Sequence, residues 1–531
     1  MKRTEPDARG AIAFTESDPR IGELLQRTRR IMDLSLIASL ASWDQQTAMP
    51  SGASEARMYQ MASIRSVIHE QASAPRIGEL LYELSSIVAQ APFTDADRGL
   101  VRQMQRAYHW ETKLPAELVE EVESVRVASV DVWIRARRHS DFASFAPWLE
   151  RTVVLQREIA DRIGYSETRY DALLDAFEPE MTAKRVAELF TPIRDISITM
   201  LKRIQASGNT IDTSCLYGTF PLEQQKTLSE RLLSTIGYDF QRGQVARSAH
   251  PMTCSFGSPV DVRLTLRYNE RCLVQALMTA LHEGGHALYE QGNAYNIMRT
   301  PVVGNMVSIP VIGGASLGAH ESQSRLWENA LGRSLPFWQG GKFAIIQQSF
   351  PEQFKNVDVI DFVRALNKVE PGLIRTEADE VTYNLHIILR FELEKALING
   401  EISVEALPDL WNAKYREYLG IEPANDAEGV LQDIHWPFAY FGYFPTYTLG
   451  NLYGAQILHT LYKTFPDFDE RLAAGDTNFV LQWLCEHMYA FGGIYRSQDL
   501  LKRMTGEAAD PQYFVRYLTN KFESIYHLAA Q

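Results

Sequence analysis

Apolar residues recur at spacings of three and four through most of the chain, as in IGELLQRTRRIMDLSLIASL (21–40) and FVRALNKVEPGLIRTEADEVTYNLHIILRFELEKAL (362–397). That period places one apolar face on each helix, so the pattern predicts a mainly α-helical protein. Period-two alternation is credible mainly in PVDVRLTLRYN (259–269), where Val262, Leu264 and Leu266 alternate with Arg263, Thr265 and Arg267. A small β-sheet is expected there. No internal repeat, low-complexity run or Gly/Ser linker divides the sequence, which favours one large helical unit spanning 1–531, or two lobes flanking a cleft.

Composition narrows the class. With 531 residues, 45% apolar and 22% charged, the chain can bury a sizeable core. A net charge of −13 disfavours nucleic acid or an anionic membrane as the main partner, and the basic run at 134–138 reads as a solvated helix face. Four scattered cysteines (Cys215, Cys254, Cys272, Cys485) without CxxC spacing argue against both a disulfide framework and a cysteine zinc site. The N-terminal residues have no secretory h-region, so a cytoplasmic protein is expected. The longest uncharged stretch, 301–319, carries two prolines and four glycines and is expected to form loop and turn rather than a membrane span.

Against this background LHEGGHALYEQG (281–292) stands out. On a helix, positions i and i+4 share a face, so His282 and His286 can offer imidazole nitrogens to one metal ion, while Glu283 sits beside it as a base for the attacking water. An HExxH match arises by chance on the order of once in fifty such sequences, so the motif alone is only suggestive. Gly284 and Gly285 strengthen it. Each costs a helix about 1 kcal/mol relative to alanine, which points to something approaching that face closely. Hydrolytic zinc sites usually take three protein ligands. Downstream, His320 and Glu321 could each complete the set, and Glu321 is preferred because a carboxylate from a second helix is the common third ligand. A rival motif, Gly314-Ala315-Ser316-Leu317-Gly318, fits a serine nucleophile elbow, but that elbow needs a preceding strand in a parallel sheet which so helical a chain does not promise.

With HEGGHALYEQG (282–292) followed by HESQSRLWEN (320–329), the chain resembles the carboxypeptidase Taq family of metallocarboxypeptidases. DVRLT (261–265), IRTEAD (374–379), GYFPTY (442–447), WDQQTAMP (43–50) and YDALLDAFEPEMT (170–182) also look like family segments, so the resemblance covers nearly the whole chain. It implies a helical fold with a deep substrate groove, a homodimer, and release of single residues from peptides with a free C-terminus. Carried over by motif, the metal ligands are His282, His286 and Glu321, with Glu283 as general base. Zinc is the expected ion, and cobalt also serves in this family. The sequence departs from the family in two places. The His286-to-Glu321 spacing is longer, through VVGNMVSIPVIGG (302–314), and Pro437, Phe438 and Ala439 stand where small residues and glycine are expected, which implies a narrower, more apolar wall.

Two further needs of an exopeptidase have candidates. Donors to the oxyanion of the tetrahedral intermediate are His435 and Tyr443 or Tyr447. The substrate carboxylate calls for an arginine fork, from Arg375 or Arg263, with Glu377 and Asp379 as groups that could orient the histidines or Arg375. An oligopeptidase cutting internally is the rival enzyme, and a peptide-binding scaffold with a vestigial site is the rival of a different class.

Overall fold

The period-two segment does form a strand, and it organises what surrounds the histidine pair. In the computed structural model, which describes residues 12–303 and 314–529, β1 (Val245–Arg247), β2 (Met252–Ser255) and β3 (Val262–Leu266) make one sheet in the order β1-β3-β2. β1 runs parallel to β3 and β2 antiparallel to it, with Thr253 opposite Leu264. Val262, Leu264 and Leu266 are fully buried, and β2 and β3 pack along the helix Val274–Gly292 that carries the HExxH motif. The other regular elements among the described residues are helical.

The two glycines of that helix have a packing reason. A Cβ on Gly285 would lie 2.5 Å from the Gln323 carbonyl oxygen and 2.7 Å from Ser324 Cα, so the backbone of the helix Leu317–Arg325 is what approaches closely. A Cβ on Gly284 would meet Ile236 and Leu233 on the helix Leu222–Ile236. The HExxH helix ends at Gly292, and its cap residue Asn293 has an ordinary negative φ of −58° rather than a left-handed one.

The chain divides into two compact units that each draw on several segments. The first comprises Met1–Glu111, Asp212–Leu366 and Tyr453–Ala509, and contains the sheet, the HExxH helix and Leu317–Arg325. The second comprises Thr112–Ile211, Asn367–Leu452 and Asp510–Gln531. At its centre the helix Tyr383–Asn399 is buried on nearly every side, with Arg390 and Glu394 among its buried residues, and packs against Phe142–Ile163, Ala183–Ser207 and Leu407–Leu419. Two of the family-like segments meet in this unit. Gly442, at φ +89°, approaches Leu173 so closely that a Cβ would lie 2.6 Å from the Leu173 carbonyl.

The long helical pattern of 362–397 is broken in the structure. A helix ends at Leu366, a 3-10 turn spans Arg375–Glu377, and the next helix starts at Tyr383. Pro371 and Gly372 interrupt the run, because proline removes a backbone donor and disfavours a helical residue before it. Asp379 then nucleates the second helix, its carboxylate accepting from the Val381 and Thr382 amides at 2.9 and 3.0 Å. Residues 304–313, just over half of the 301–319 stretch and most of the VVGNMVSIPVIGG segment, lie outside the described residues. No described helix is long and apolar enough to cross a membrane.

Candidate metal centre

His282 and His286, one helical turn apart, and Glu321 from the facing helix each bring a ligand atom to within 4.8 Å of the others. Both imidazoles aim Nε2 at the same carboxylate oxygen: Glu321 Oε2 is 3.3 Å from His286 Nε2 and 3.6 Å from His282 Nε2. The opposite edges of the rings are fixed. His282 Nδ1 lies 2.8 Å from Glu328 Oε2, an acceptor, so Nδ1 carries the proton and the Nε2 lone pair faces the centre. For His286 the same outcome is reached through a relay. His320 Nε2 donates to Glu290 Oε1 at 2.8 Å, which makes His320 Nδ1 an acceptor, and His286 Nδ1 donates to it at 2.5 Å. Two imidazole nitrogens with locked tautomers and one carboxylate oxygen fit a divalent ion of the zinc type.

The electrostatics agree with the geometry. Burial disfavours charge on Glu321, yet Arg325, whose Nε is 2.7 Å from Oε1, and His282 hold this carboxyl well below the usual carboxylate range. Glu328 is likewise brought down to about 2, against its burial, by Arg325 and His282. Burial drives His286 down to about 3, so its imidazole is neutral, as a metal ligand must be. His282 is also buried, but Glu321 and Glu328 outweigh that and raise it to about 9. The negative field that would hold a proton on His282 is the field a cation would meet.

Glu283 is 5% exposed, and its Oε2 accepts from the Thr253 hydroxyl at 2.7 Å. Burial raises its pKa above the ordinary glutamate value, with His282 and the Thr253 bond opposing. Of the two candidates for third ligand, Glu321 converges on the histidines while both nitrogens of His320 are engaged in the relay. Ser316 is fully buried and caps the helix Leu317–Arg325, accepting from the Ala319 amide at 2.9 Å, a structural use of the residue that the serine-elbow motif would make a nucleophile.

The sequence reading missed Glu328. Seven residues beyond Glu321, it falls on the same helical face, a signal that was present. The chain there widens into a π-helical turn, Leu326–Leu331, a local distortion with no evident sequence mark. Glu377 is exposed and Asp379 serves its helix start, so among the described residues the outer ring edges of His282 and His286 are held by Glu328 and His320.

In the second unit, Arg375, His435, Tyr443 and Tyr447 come together. Arg375 Nε and Nη2 donate to Asp433 Oδ1 at 2.9 and 2.8 Å, its Nη1 meets the Tyr383 hydroxyl at 3.3 Å, and its guanidinium lies over the Tyr447 ring. Asp433 Oδ2 accepts from Arg390, which is fully buried. Burial, reinforced by Arg375, pushes His435 down to about 3, so it is neutral, and its Nε2 lies 3.2 Å from the Tyr447 hydroxyl. The Tyr443 ring is 5.1 Å from that of His435 and 5.4 Å from that of Tyr447. Two guanidinium cations share one carboxylate, which leaves the group of Arg375, Arg390, Asp433 and His435 with one positive charge in excess. Asp433 and Arg390 were also missed by the sequence reading, although Asp433 stands two residues before His435. Arg263, in the first unit, is held bidentately by Asp261 at 2.8 and 2.7 Å. Ala439 adopts φ +61°, a left-handed conformation at one of the positions where the family resemblance leads one to expect small residues or glycine.

Comparison with known proteins places these features in a family. The profile of the carboxypeptidase Taq (M32) metallopeptidases matches residues 23–522. Carboxypeptidase 1 of Bacillus subtilis is 38% identical over 509 residues, covering 95% of this chain and 98% of the relative, and thermostable carboxypeptidase 1 of Thermus thermophilus is 40% identical over 514 residues with the same coverage. Among solved structures, the M32 carboxypeptidase from Deinococcus radiodurans superposes with a TM-score of 0.90 at 34% identity, over 96% of this chain and 100% of that one.

Proposed function

The chain belongs to the carboxypeptidase Taq (M32) metallopeptidase family, a family of metal-dependent carboxypeptidases, and on that premise we propose that it releases single amino acids from the free C-terminus of peptides with zinc as its ion. The observation that carries the reading is the convergence of His282 Nε2, His286 Nε2 and Glu321 Oε2 with both Nδ1 atoms already bonded on the far side. These three residues would hold the ion, and cobalt suits the same donors. A bound divalent ion supplies Lewis acidity, polarising the scissile carbonyl and making an adjacent water a stronger acid.

The remaining work falls to side chains. Glu283 takes the proton of the attacking water and returns it to the leaving amine, and the burial that raises its pKa brings it nearer to the range where it can do both at neutral pH. His435, Tyr443 and Tyr447 are the proposed donors to the developing oxyanion, the histidine as a neutral N–H and the tyrosines through their hydroxyls. Arg375 is the proposed anchor of the substrate carboxylate. The excess positive charge it shares with Arg390 favours it over Arg263, whose charge is already balanced by Asp261. We further propose a deep substrate groove, a homodimer and a cytoplasmic setting.

Mass spectrometry of an unmodified peptide incubated with the protein and zinc tests the reading. The expected result is a ladder shortened residue by residue from the C-terminus and abolished by a chelator. Internal fragments would transfer the same chemistry to an oligopeptidase. Intact peptide beside a fully zinc-loaded protein would leave a binding scaffold.

A further inference from the structure

Thr253 stands on β2, an edge strand of the sheet, where its backbone is paired opposite Leu264 and its side chain meets the HExxH helix. Its hydroxyl lies 2.7 Å from Glu283 Oε2 and 3.0 Å from the Glu283 main-chain oxygen. One hydroxyl has one hydrogen to donate. The main-chain oxygen, in mid-helix, has its bond from the amide four residues on, whereas Oε2 has no other donor among the described residues. The shorter contact and the unmet need agree, so the hydrogen goes to Oε2.

We propose that Thr253 is a positioning residue for the base, its hydroxyl pinning Oε2 of Glu283 so that Oε1 is the oxygen that takes and returns the proton. This rests on the reading of Glu283 as the base. A glutamate side chain has three rotatable bonds, and in a site where a small misplacement of reacting atoms costs a large factor in rate, one fixed oxygen fixes the other. Threonine suits the task because its β-branched side chain is restricted at χ1 and its backbone is tied into the strand pairing. Oε1 accepts no hydrogen bond among the described residues, as expected of the oxygen that must meet water. In the proton cycle the water O–H bond breaks as Oε1 gains the hydrogen and the water oxygen bonds to the carbonyl carbon. The hydrogen then passes from Oε1 to the amine nitrogen as the C–N bond breaks. Thr253 keeps its own hydrogen throughout.

Thr253→Val preserves shape and branching and removes only the hydroxyl, whereas Thr253→Ser keeps the hydroxyl and removes a methyl group. We expect the valine variant to lose roughly tenfold in kcat, the scale of one lost orienting hydrogen bond, with KM, zinc content and thermal midpoint little changed, and serine to restore most of the loss. In a Glu283→Gln background, assayed at high enzyme concentration, the valine change should add nothing, because it acts through the group already removed. A valine variant with unaltered kcat, equal losses for valine and serine, or a further loss on top of Glu283→Gln would each overturn the proposal while leaving Glu283 as the base. Near-normal turnover of Glu283→Gln alone would remove the base itself, and the role of Thr253 with it.

Discussion

Replacing Glu394 by glutamine isolates a buried carboxylate that organises the loop bearing His435 and Tyr443. Glu394 is fully buried and takes three donors: the Tyr170 hydroxyl at 2.8 Å and the Gly442 amide at 2.6 Å on Oε1, and Trp436 Nε1 at 2.8 Å on Oε2. Trp436 follows His435 and Gly442 precedes Tyr443, so one side chain ties down both ends of that loop. Burial outweighs the three bonds and raises the carboxyl from 4.5 to about 7. A folded-state value above the unfolded one means the folded protein binds the proton more readily between those limits. The stabilisation from this group is therefore complete below about pH 4.5 and is lost as pH rises through about 7. A shift of that size corresponds to about 3 kcal/mol across the window. Glu394→Gln cannot titrate. Its amide also sets an N–H against one of the donors, a fixed penalty of about 1–3 kcal/mol that does not vary with pH. Urea unfolding of both proteins at half-unit intervals from pH 4.5 to 8 should show the variant gaining on the wild type by about 3 kcal/mol from the acid end to the alkaline end. Parallel pH profiles would refute the reasoning, for they would mean that the three donors keep Glu394 ionised in spite of its burial.

Much of the metal centre could be read from the chain because its chemistry is local. HExxH spacing on one helix places His282, Glu283 and His286 together by helical geometry alone, and Glu321, the proposed third ligand, follows from the habit of drawing a carboxylate from a second helix. The supporting groups are contacts between elements and leave a fainter trace. Thr253 meets Glu283 across 30 positions of sequence through strand-to-helix packing, and Glu328 reaches His282 from a helical turn that widens to the π form. The glycines illustrate the same limit. Their cost to the helix was a sound clue that something lay close, but periodicity could not say that the neighbour of Gly285 is the backbone of the very helix that brings Glu321. In the second unit, apolar spacing ran unbroken through Pro371-Gly372, so the pattern concealed a break that places Arg375 on a short turn rather than on a long helix.

Changing Glu321 to alanine should lower zinc occupancy and activity together, while His320→Ala, which removes the relay that locks His286, should keep the ion but weaken its binding by roughly ten- to a hundredfold, as competition with a chromogenic chelator would measure. Glu328→Gln should weaken the ion by a similar factor, since an amide still reaches His282 Nδ1 without the charge, and equal zinc affinity in variant and wild type would deny Glu328 its orienting role. Arg375 bears on the direction of cleavage. A terminal carboxylate entering a group that carries one excess positive charge removes that excess, so the attraction is strongest for a free acid and absent for an amide. Arg375→Ala should therefore cut kcat/KM for free-acid peptides by about a hundredfold or more while zinc stays bound, and amidating the peptide should do the same to the unaltered enzyme. The two losses should not add, because each removes the same contact. Equal cleavage of amidated and free-acid peptides by the unaltered enzyme would defeat the exopeptidase reading, whereas sensitivity to amidation without sensitivity to Arg375→Ala would move the anchor to Arg263, which would then have to exchange Asp261 for the substrate.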